Sequence, residues 1–374
     1  MPIQYRSTEA LIDLDALRFN VRQIRKKIPA TTQIIGVVKA NAYGHGAVQC
    51  ARILESEGVR ILGVATVEEG MELRQAGLRG DILVFDGLAT RDLTAFGEYR
   101  LRPVLHTMEE IDRFGAFLHD RTRSQGVHIK FDTGMGRLGL FPSHVDDLLD
   151  KLRRYSEMDV QGVMTHLARA DEEDRQPTER QIELFDRVRQ ILETRGMKTA
   201  FHIANSAAII EGLGLDYALV RPGLMLYGAY PHSRMQEKME LKPVMSLKTK
   251  VLAIKRHPMG NALGYGGTFT TKRESLIGVL PLGYADGYPR LLSNRASVMV
   301  HGKKAPVVGR ISMDLTLVDL TDIPEAKEGD EVLLFGTQGE SKLSVEEVAT
   351  WADTISYEIL CGVSSRVPRI YTNL

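Results

Sequence analysis

Residues 34–65 read IIGVVKANAYGHGAVQCARILESEGVRILGVA, which is an apolar run, a longer mixed segment and a second apolar run. Short β-rich runs that alternate with helical segments indicate β-α units around a parallel sheet. The alternation continues from about residue 12 to residue 240, and its eight runs predict a closed (β/α)8 barrel of the TIM type. The runs are IIGVVK (34–39), ILGVA (61–65), ILVF (82–85), PVLH (103–106), HIKF (128–131), GVMTH (162–166), FHIA (201–204) and LMLYG (224–228).

The segments between these runs carry the signals of helices. An apolar stripe at steps of three and four residues, from Leu14 to Ile28, predicts the first helix, which Asp13 would cap and Pro29 would end. Further helix starts are predicted from capping-box spacing, in which a threonine precedes a glutamate or glutamine by three positions. They are Thr66 with Glu69, Thr107 with Glu110, and Thr178 with Gln181.

A second domain is expected because 374 residues exceed what one compact core usually organises. After about residue 240 the chain changes to closely spaced strands with Gly, Pro and Asp turns, which include VLAIK, SLIGVLPLG, SVMVHG, LTLVDL and EVLLFG. We therefore predict an α/β protein with a barrel over 12–240 and a mainly-β domain over 241–374. One helical segment, at about 344–353, interrupts that domain, and residues 1–11 are expected to add a strand to it.

The composition limits the classes of molecule that the protein is expected to bind. Lys+Arg and Asp+Glu number 48 each, so the chain lacks the net positive charge that binds nucleic acid or anionic membranes non-specifically. The two cysteines, Cys50 and Cys361, are too few for a disulfide framework and lack the spacing of a metal site. We expect a cytoplasmic protein that acts on a small molecule and binds neither nucleic acid, membrane nor metal.

Catalytic groups of such barrels follow the carboxyl ends of the strands. Lys39 ends the first run at the rim of an apolar barrel, where a neutral amine can form a Schiff base, although a lysine that merely extends into solvent is as compatible with the residues. Ser206 and Gly223 follow the last two runs, where barrels commonly bind phosphate. A purely structural role is also open, because Asn205-Ser206 is a good helix cap and Pro222-Gly223 is a good turn.

VKANAYGHG (38–46) resembles the lysine motif that attaches pyridoxal 5'-phosphate (PLP) in alanine racemases. The resemblance covers essentially the whole chain. It continues through KFDTGMGRLG (130–139), MTHLARAD (164–171), HIANSAA (202–208), RPGLMLYG (221–228), LGYGGT (263–268), PLGYADGYPR (281–290), VGRISMD (308–314) and YEILCGVSSRVPR (357–369).

The resemblance implies a PLP-dependent interconversion of L-alanine and D-alanine by two bases on opposite faces of Cα. Lys39 would be one base, and Tyr265 from the other subunit of a head-to-tail homodimer would be the second, with His166 hydrogen-bonded to it. The D-alanine would serve peptidoglycan synthesis.

The resemblance also implies the residues that hold the ligands. Arg221 would face the pyridine nitrogen of PLP, oriented by His202, and Arg137 with the backbone N–H of Met313 would hold the substrate carboxylate. Lys130 matches a lysine that is carbamylated in several family members. The cofactor contacts are predicted at Lys39, Tyr43, His166, Ser206, Arg221, Gly223, Leu224 and Tyr357, and further supporting residues at Asn205, Tyr284 and Asp314.

Three other functions stay open at this stage. A racemase of serine or of broad specificity has the same motifs. A PLP-dependent decarboxylase shares the barrel with a β domain, but enzymes of that group resemble those with a carboxylate, rather than an arginine, at the pyridine nitrogen. A non-catalytic PLP carrier would use the barrel alone, and the second domain argues against it.

Overall fold

The computed structural model describes residues 6–90, 92–121 and 124–373. The first strand, β1 (Glu9–Asp13), belongs to the C-terminal sheet, and the next eight form one parallel sheet. These barrel strands are β2 (Gln33–Val37), β3 (Ile61–Val64), β4 (Asp81–Val84), β5 (Leu101–Leu105), β6 (Gln125–Lys130), β7 (Met158–Met164), β8 (Ala200–His202) and β9 (Leu219–Val220).

The eight strands follow one another around the sheet, and β9 closes it by pairing with β2 through Gln33 opposite Leu219. Within the described residues, β8 and β9 meet without a hydrogen-bonded ladder, so the barrel is nearly closed. Strands such as β3 are buried along their whole length, because the barrel interior covers one face and the helices cover the other. The predicted α/β class, a TIM-type barrel with a mainly-β domain, is confirmed.

Helices pack around the outside of the barrel. The first has the predicted cap, since Asp13 accepts the N–H groups of Asp15 and Ala16, and Leu14, Leu17, Val21 and Ile24 are buried on one face. The helical segments of the barrel half are α1 (Leu14–Lys27), α3 (Ala47–Ser56), α4 (Val67–Gln75), α5 (Thr94–Glu98), α6 (Met108–His119), α7 (Val145–Arg154), α8 (Gln176–Thr194) and α9 (Ser206–Glu211). The label α2 is given to Lys39–Tyr43, which is not a regular helix, because Ala40, Asn41 and Ala42 have left-handed backbone angles.

Two predictions in the barrel half are wrong. The last strand is β9, and the run LMLYG instead contains a 3-10 helix, Leu224–Tyr227, which is as apolar as a strand because it is fully buried. Thr178 does not cap a helix, because α8 begins at Gln176 with Pro177 in its first turn. The Gln181 side chain binds the backbone of His166 and Ala168 instead.

The C-terminal half is built mainly of antiparallel strands. Its principal sheet has the order β16-β15-β18-β10-β1-β20, with β19 beside β18, and a three-stranded sheet has the order β11-β14-β17. The strands are β10 (Met245–Lys250), β11 (Ala253–His257), β12 (Ala262–Leu263), β13 (Phe269–Thr270), β14 (Ser275–Leu280), β15 (Ser297–Val300), β16 (Lys303–Pro306), β17 (Thr316–Asp319), β18 (Glu331–Gln338), β19 (Ser341–Leu343) and β20 (Arg369–Thr372).

The helical content of this half differs from the single predicted segment. The first helix, α10 (Val345–Trp351), lies where it was expected, and a second, α11 (Ser356–Gly362), follows it directly. The second helix contacts α2 at the barrel mouth, where the Arg369 side chain also donates to the carbonyl of Gly44. Among the described residues, no helix is both long and apolar enough to cross a bilayer. The part of residues 1–11 before Arg6 lies outside the described residues.

Candidate active site

Lys39 begins an unusual turn directly after β2. The four residues that follow it, Ala40 to Tyr43, all have left-handed backbone angles, with φ between 51° and 54°. Such angles cost roughly 1–2 kcal/mol for each residue that is not glycine, so the surrounding structure must hold the turn in place. Glu69 accepts the N–H of Ala40 at 2.7 Å, and Asn41 accepts the N–H of Ala47 at 2.8 Å. The turn directs Lys39 and Tyr43 into the same cavity.

This cavity, of about 470 Å³, lies at the carboxyl ends of the barrel strands. It collects most of the predicted residues, which are Lys39, Tyr43, Lys130, Arg137, His166, Asn205, Ser206, Arg221, Gly223, Leu224 and Tyr357. The sequence did not indicate several further residues of its lining, which are Val37, Ala40, Phe85, Asp86, Val104, Leu138, Met164 and Cys361. Tyr357 and Cys361 come from α11, so both halves of the chain build the cavity.

The cavity is positively charged. Four cationic side chains line it, Lys39, Lys130, Arg137 and Arg221, against one carboxylate, Asp86. Burial, followed by the charges of Arg137 and Arg221, lowers the pKa of Lys130 to about 8. A cavity of this sign and size suits a ligand that carries a phosphate and a carboxylate.

Arg221 is buried without a carboxylate partner among the described residues. Its Nη1 donates to Nδ1 and the carbonyl of His202 at 2.8 and 2.9 Å. Its Nη2 donates to the carbonyls of Thr165 and Ile203 at 2.6 and 3.0 Å, and a longer contact of 3.5 Å reaches His166 Nδ1. Four of the five guanidinium hydrogens are thereby used, which leaves the Nε–H for a ligand in the cavity.

Both histidines beside Arg221 are neutral. Burial, followed by the charge of Arg221, lowers the pKa of His166 to about 3 and places the pKa of His202 well below its usual range. Burial lowers the pKa of Arg221 itself to about 9, so the guanidinium stays protonated at neutral pH. His202 contacts Arg221 but is not part of the cavity lining, and its predicted orienting role stays a prediction.

One end of the cavity is a small polar cradle. The Ser206 hydroxyl accepts the N–H groups of Gly223 and Met225 at 3.0 and 3.4 Å, which folds the 3-10 helix over it. A Cβ at position 223 would overlap the Tyr43 hydroxyl, so the glycine leaves space that a side chain would fill. Neither the Tyr43 nor the Tyr357 hydroxyl has a hydrogen-bond partner among the described residues, and both rings line the same cavity.

Sequence reasoning missed the residue that shapes the Arg137 loop. One carboxylate oxygen of Asp132 accepts the N–H groups of Gly134, Met135 and Gly136, and the other accepts that of Arg137 at 3.1 Å. Burial would raise the pKa of Asp132, but these four hydrogen bonds outweigh it, and the pKa lies below its ordinary value. The signal was present in the sequence, since Asp followed by Thr-Gly favours such a turn.

The remaining predicted residues lie together on the β domain, outside this cavity. Tyr265 is 70% exposed, Met313 is 53% exposed, and Tyr284 is also exposed. The backbone of Tyr284 donates to Ser312, and that of Ala285 donates to Met313, so the two segments are adjacent. Asp314 accepts a hydrogen bond from Arg366 at 2.7 Å. Within one chain the structure therefore does not bring Tyr265 and Lys39 into one cavity.

The cavity fits PLP, the cofactor implied by the resemblance. A lysine amine, a cradle with unpaired hydroxyl groups and the remaining Arg221 N–H can meet its aldehyde, its phosphate and its ring nitrogen. The four cations match its negative charge.

Comparisons with known proteins agree with this chemistry. Residues 12–231 match the family model described as alanine racemase, N-terminal domain, and residues 244–371 match alanine racemase, C-terminal domain. The chain is 42% identical over 369 residues to the alanine racemase of Halothermothrix orenii, which covers 98% of this chain and 97% of that protein.

Solved structures give the same result. The alanine racemase of Bacillus anthracis with bound L-Ala-P superposes with a TM-score of 0.90 at 36% identity, over 99% of this chain and 96% of that one. The enzyme of Bartonella henselae, which has covalently bound pyridoxal phosphate, superposes with a TM-score of 0.90 at 32% identity, over 98% of this chain and 99% of that one.

Proposed function

The chain belongs to the alanine racemase family, and from this premise we propose that Lys39 and Tyr265 are the two bases of its reaction. The reaction interconverts L-alanine and D-alanine with PLP as cofactor. Racemisation removes the Cα hydrogen from one face and delivers a hydrogen to the other, so it requires a base on each side. In this assignment Tyr265 takes the hydrogen from the L isomer and Lys39 takes it from the D isomer.

The observation that carries the proposal is the cavity that joins Lys39, the polar cradle and Arg221. PLP, when bound, supplies an electron-withdrawing ring that makes the Cα hydrogen acidic. Lys39 would attach it, and the Arg221 Nε–H would be available to its ring nitrogen. An arginine does not give up its proton there, which favours racemisation over the reactions that need a protonated ring. The phosphate would be held by Tyr43, Ser206, Gly223, Leu224 and Tyr357, beside Asn205, which caps the following helix.

The substrate carboxylate is assigned to Arg137 and to the backbone N–H of Met313. This N–H has no acceptor among the described residues, and Asp132 fixes the Arg137 loop. Lys130 is proposed to carry a carbamate that pairs with Arg137, because its lowered pKa makes the neutral amine available for carbon dioxide. Aromatic rings at Tyr265, Tyr284 and Tyr357 leave room for a small side chain, which favours alanine over a broad range of substrates.

His166 is assigned as the helper of Tyr265. The neutral His166 ring carries one N–H, and in this assignment the ring nitrogen that faces Tyr265 of the partner subunit holds it. That N–H can donate to the Tyr265 oxygen and stabilise its deprotonated form. A tyrosine with such a donor is a better base than free tyrosine, whose pKa is about 10.

Completion of the site is proposed to need a second copy of the chain. Tyr265 and Met313 are exposed on the β domain together with Tyr284, Leu291 and Leu315. Leu138 and Phe141 are exposed on the barrel half, and Leu138 also lines the cavity. A head-to-tail homodimer covers both sets of apolar side chains at once and places Tyr265 of each subunit over the cavity of the other.

We further propose that the protein acts in the cytoplasm and supplies D-alanine for peptidoglycan. The two cysteines, which lack the spacing of a disulfide framework, support a reducing compartment. The resemblance to alanine racemases supports the use of D-alanine in peptidoglycan synthesis.

Chiral analysis of L-alanine incubated with the purified protein and PLP tests the function. The D isomer should accumulate until both isomers are equal, and serine under the same conditions should react far more slowly. Release of carbon dioxide would indicate a decarboxylase, no reaction would indicate a carrier, and equal rates with serine would indicate broad specificity. In deuterium oxide, Tyr265→Phe should lose Cα exchange mainly from L-alanine, whereas an equal loss from both isomers would contradict the two-base assignment.

A further inference from the structure

A line of three buried side chains runs inward from the cavity. Arg221 Nη1 donates to His202 Nδ1 at 2.8 Å, and His202 Nε2 lies 2.9 Å from His128 Nδ1. His202 is fully buried and His128 is almost fully buried. The two imidazole rings meet edge to face, with 75° between their planes. The line therefore connects the cavity lining with β6 inside the barrel.

The hydrogens along this line follow from the guanidinium. Because arginine has no acceptor, His202 Nδ1 must present a lone pair. A neutral imidazole with a bare Nδ1 carries its hydrogen on Nε2, and that hydrogen can only be donated to His128 Nδ1. Burial supports the neutral forms, since it lowers the pKa of His128 to about 3 and holds that of His202 well below its ordinary range. Both rings are thus in the tautomer with the hydrogen on Nε2.

The barrel is built to admit the His128 ring. Gly162 on β7 is the ladder partner of His128 on β6. A Cβ at position 162 would overlap three atoms of the His128 ring. The φ of Gly162 is not in the left-handed region, so it is the ring, and not the backbone, that requires a glycine here. Two neighbouring strands are therefore matched around this one side chain.

We propose that His128 is a positioning residue of the racemase site. By accepting the Nε2 hydrogen of His202, it fixes the tautomer in which His202 receives Arg221, and so it holds the guanidinium in the orientation that leaves its Nε–H for the cofactor. The inference rests on the proposed role of Arg221.

Removal of the acceptor at position 128 leaves two arrangements for the His202 hydrogen, and both are unfavourable. Its Nε2–H would stay buried without a partner, or its hydrogen would move to Nδ1 and oppose the N–H of Arg221. Either change loosens Arg221 on the cofactor side. The contacts assigned to the substrate carboxylate, at Arg137 and Met313, are on other segments and are unaffected.

The first test uses the unmodified holoenzyme with ¹⁵N-labelled histidine. Ring nitrogens that carry a hydrogen resonate far upfield of bare ones, so the spectrum reports each tautomer directly, and His202→Gln and His128→Gln identify the signals. We expect a bare Nδ1 and a protonated Nε2 for both residues across the neutral pH range. A hydrogen on His202 Nδ1, or an imidazolium at either residue, would overturn the proposal. This result does not depend on turnover, so a failure of the racemase assignment would be visible separately in the chiral assay.

The second test compares three variants. His128→Leu should lower kcat about tenfold, which corresponds to the ~1.4 kcal/mol of one hydrogen bond, with little change in KM for alanine. It should also shift the pH dependence of the absorption of the bound cofactor. His128→Gln retains an acceptor and should recover most of both properties. His106→Leu is the control, because His106 is another buried barrel histidine outside this line. Equal losses of kcat in His128→Leu and His106→Leu, or no recovery of kcat in His128→Gln, would contradict the assignment of His128 as a positioning residue.

Discussion

Gly223 lacks a side chain at the point where the Tyr43 hydroxyl approaches the backbone, and a Cβ there would overlap that oxygen. Gly223→Ala should therefore displace Tyr43 from the cradle and weaken PLP binding. Overpacking of this kind costs roughly 1–3 kcal/mol, which corresponds to about ten- to a hundredfold in Kd. Titration of the apoenzyme with PLP measures the effect.

The matched control is the same change in a Tyr43→Phe background, which lacks the oxygen that the new methyl group meets. The second substitution should then cost less than it does alone, because the nearest remaining ring atom is 3.1 Å away. Additive losses in the two backgrounds would mean that Gly223 acts through something other than this overlap.

Lys130 offers a second prediction for a single residue. Its pKa of about 8 leaves an appreciable neutral fraction near physiological pH, and only the neutral amine reacts with carbon dioxide. With ¹³C-bicarbonate the protein should show a carbamate signal by NMR above pH 8, and the signal should fall as acidification protonates the amine.

Lys130→Arg keeps the positive charge but cannot form this carbamate, so its spectrum should lack the signal. Absence of the carbamate signal in solution at alkaline pH, with ¹³C-bicarbonate present, would exclude the modification. In that case no carbamate would lie beside Arg137 in the cavity.

At the scale of elements, two glutamates perform the same structural task beside different loops. Glu69 accepts the N–H groups of Ala65 and Ala40, and Glu110 accepts those of His106 and Leu88. Glu69 therefore joins the end of β3 to the turn after β2, and Glu110 joins the end of β5 to the loop after β4. Only Glu69 reaches the left-handed turn that carries Lys39.

Glu69→Gln and Glu110→Gln should each lower the free energy of unfolding, by about 1–2 kcal/mol, because the amide loses one of the two acceptor oxygens. Urea denaturation measures this shared effect. Only Glu69→Gln should slow the reattachment of PLP to the apoenzyme, followed by the visible absorbance. If both variants slow reattachment equally, the turn does not depend on Glu69.

The same scale shows what the sequence could and could not predict. The barrel strands were predictable because they are buried on both faces and appear as continuous apolar runs. The run LMLYG was wrongly predicted as a strand for the same reason, because a buried 3-10 helix is equally apolar. Thr178 had the spacing of a cap, but Pro177 starts the helix earlier. The domain limit at residue 240 stays a prediction.

The residues of the cavity were predictable where they form a motif, and single polar residues with contacts distant in sequence were missed. His128 is an example, since its proposed role depends on His202, which is 74 residues away. Periodicity also could not indicate the left-handed turn after Lys39, because no glycine marks its first four residues. Tertiary contacts at Glu69 and Asn41 stabilise it instead.

At the scale of the whole molecule, the two proposed bases lie far apart within one chain. Lys39 lines the cavity, whereas Tyr265 and Met313 are exposed on the β domain and do not line it. We therefore propose that the second base comes from another copy, and that in a two-fold dimer each copy completes the site of the other.

This arrangement predicts that two inactive variants restore each other. A Lys39→Ala chain retains Tyr265, and a Tyr265→Phe chain retains Lys39, so a mixed dimer contains one intact site and one doubly altered site. Random exchange makes half of the dimers mixed, and the mixture should recover roughly a quarter of the unmodified specific activity. Each variant alone, exchanged with itself, serves as the control, and differently tagged chains show by co-purification that exchange occurred. If co-purification is complete but the mixture stays as inactive as its components, both bases must come from one chain, and the head-to-tail assignment of Tyr265 fails.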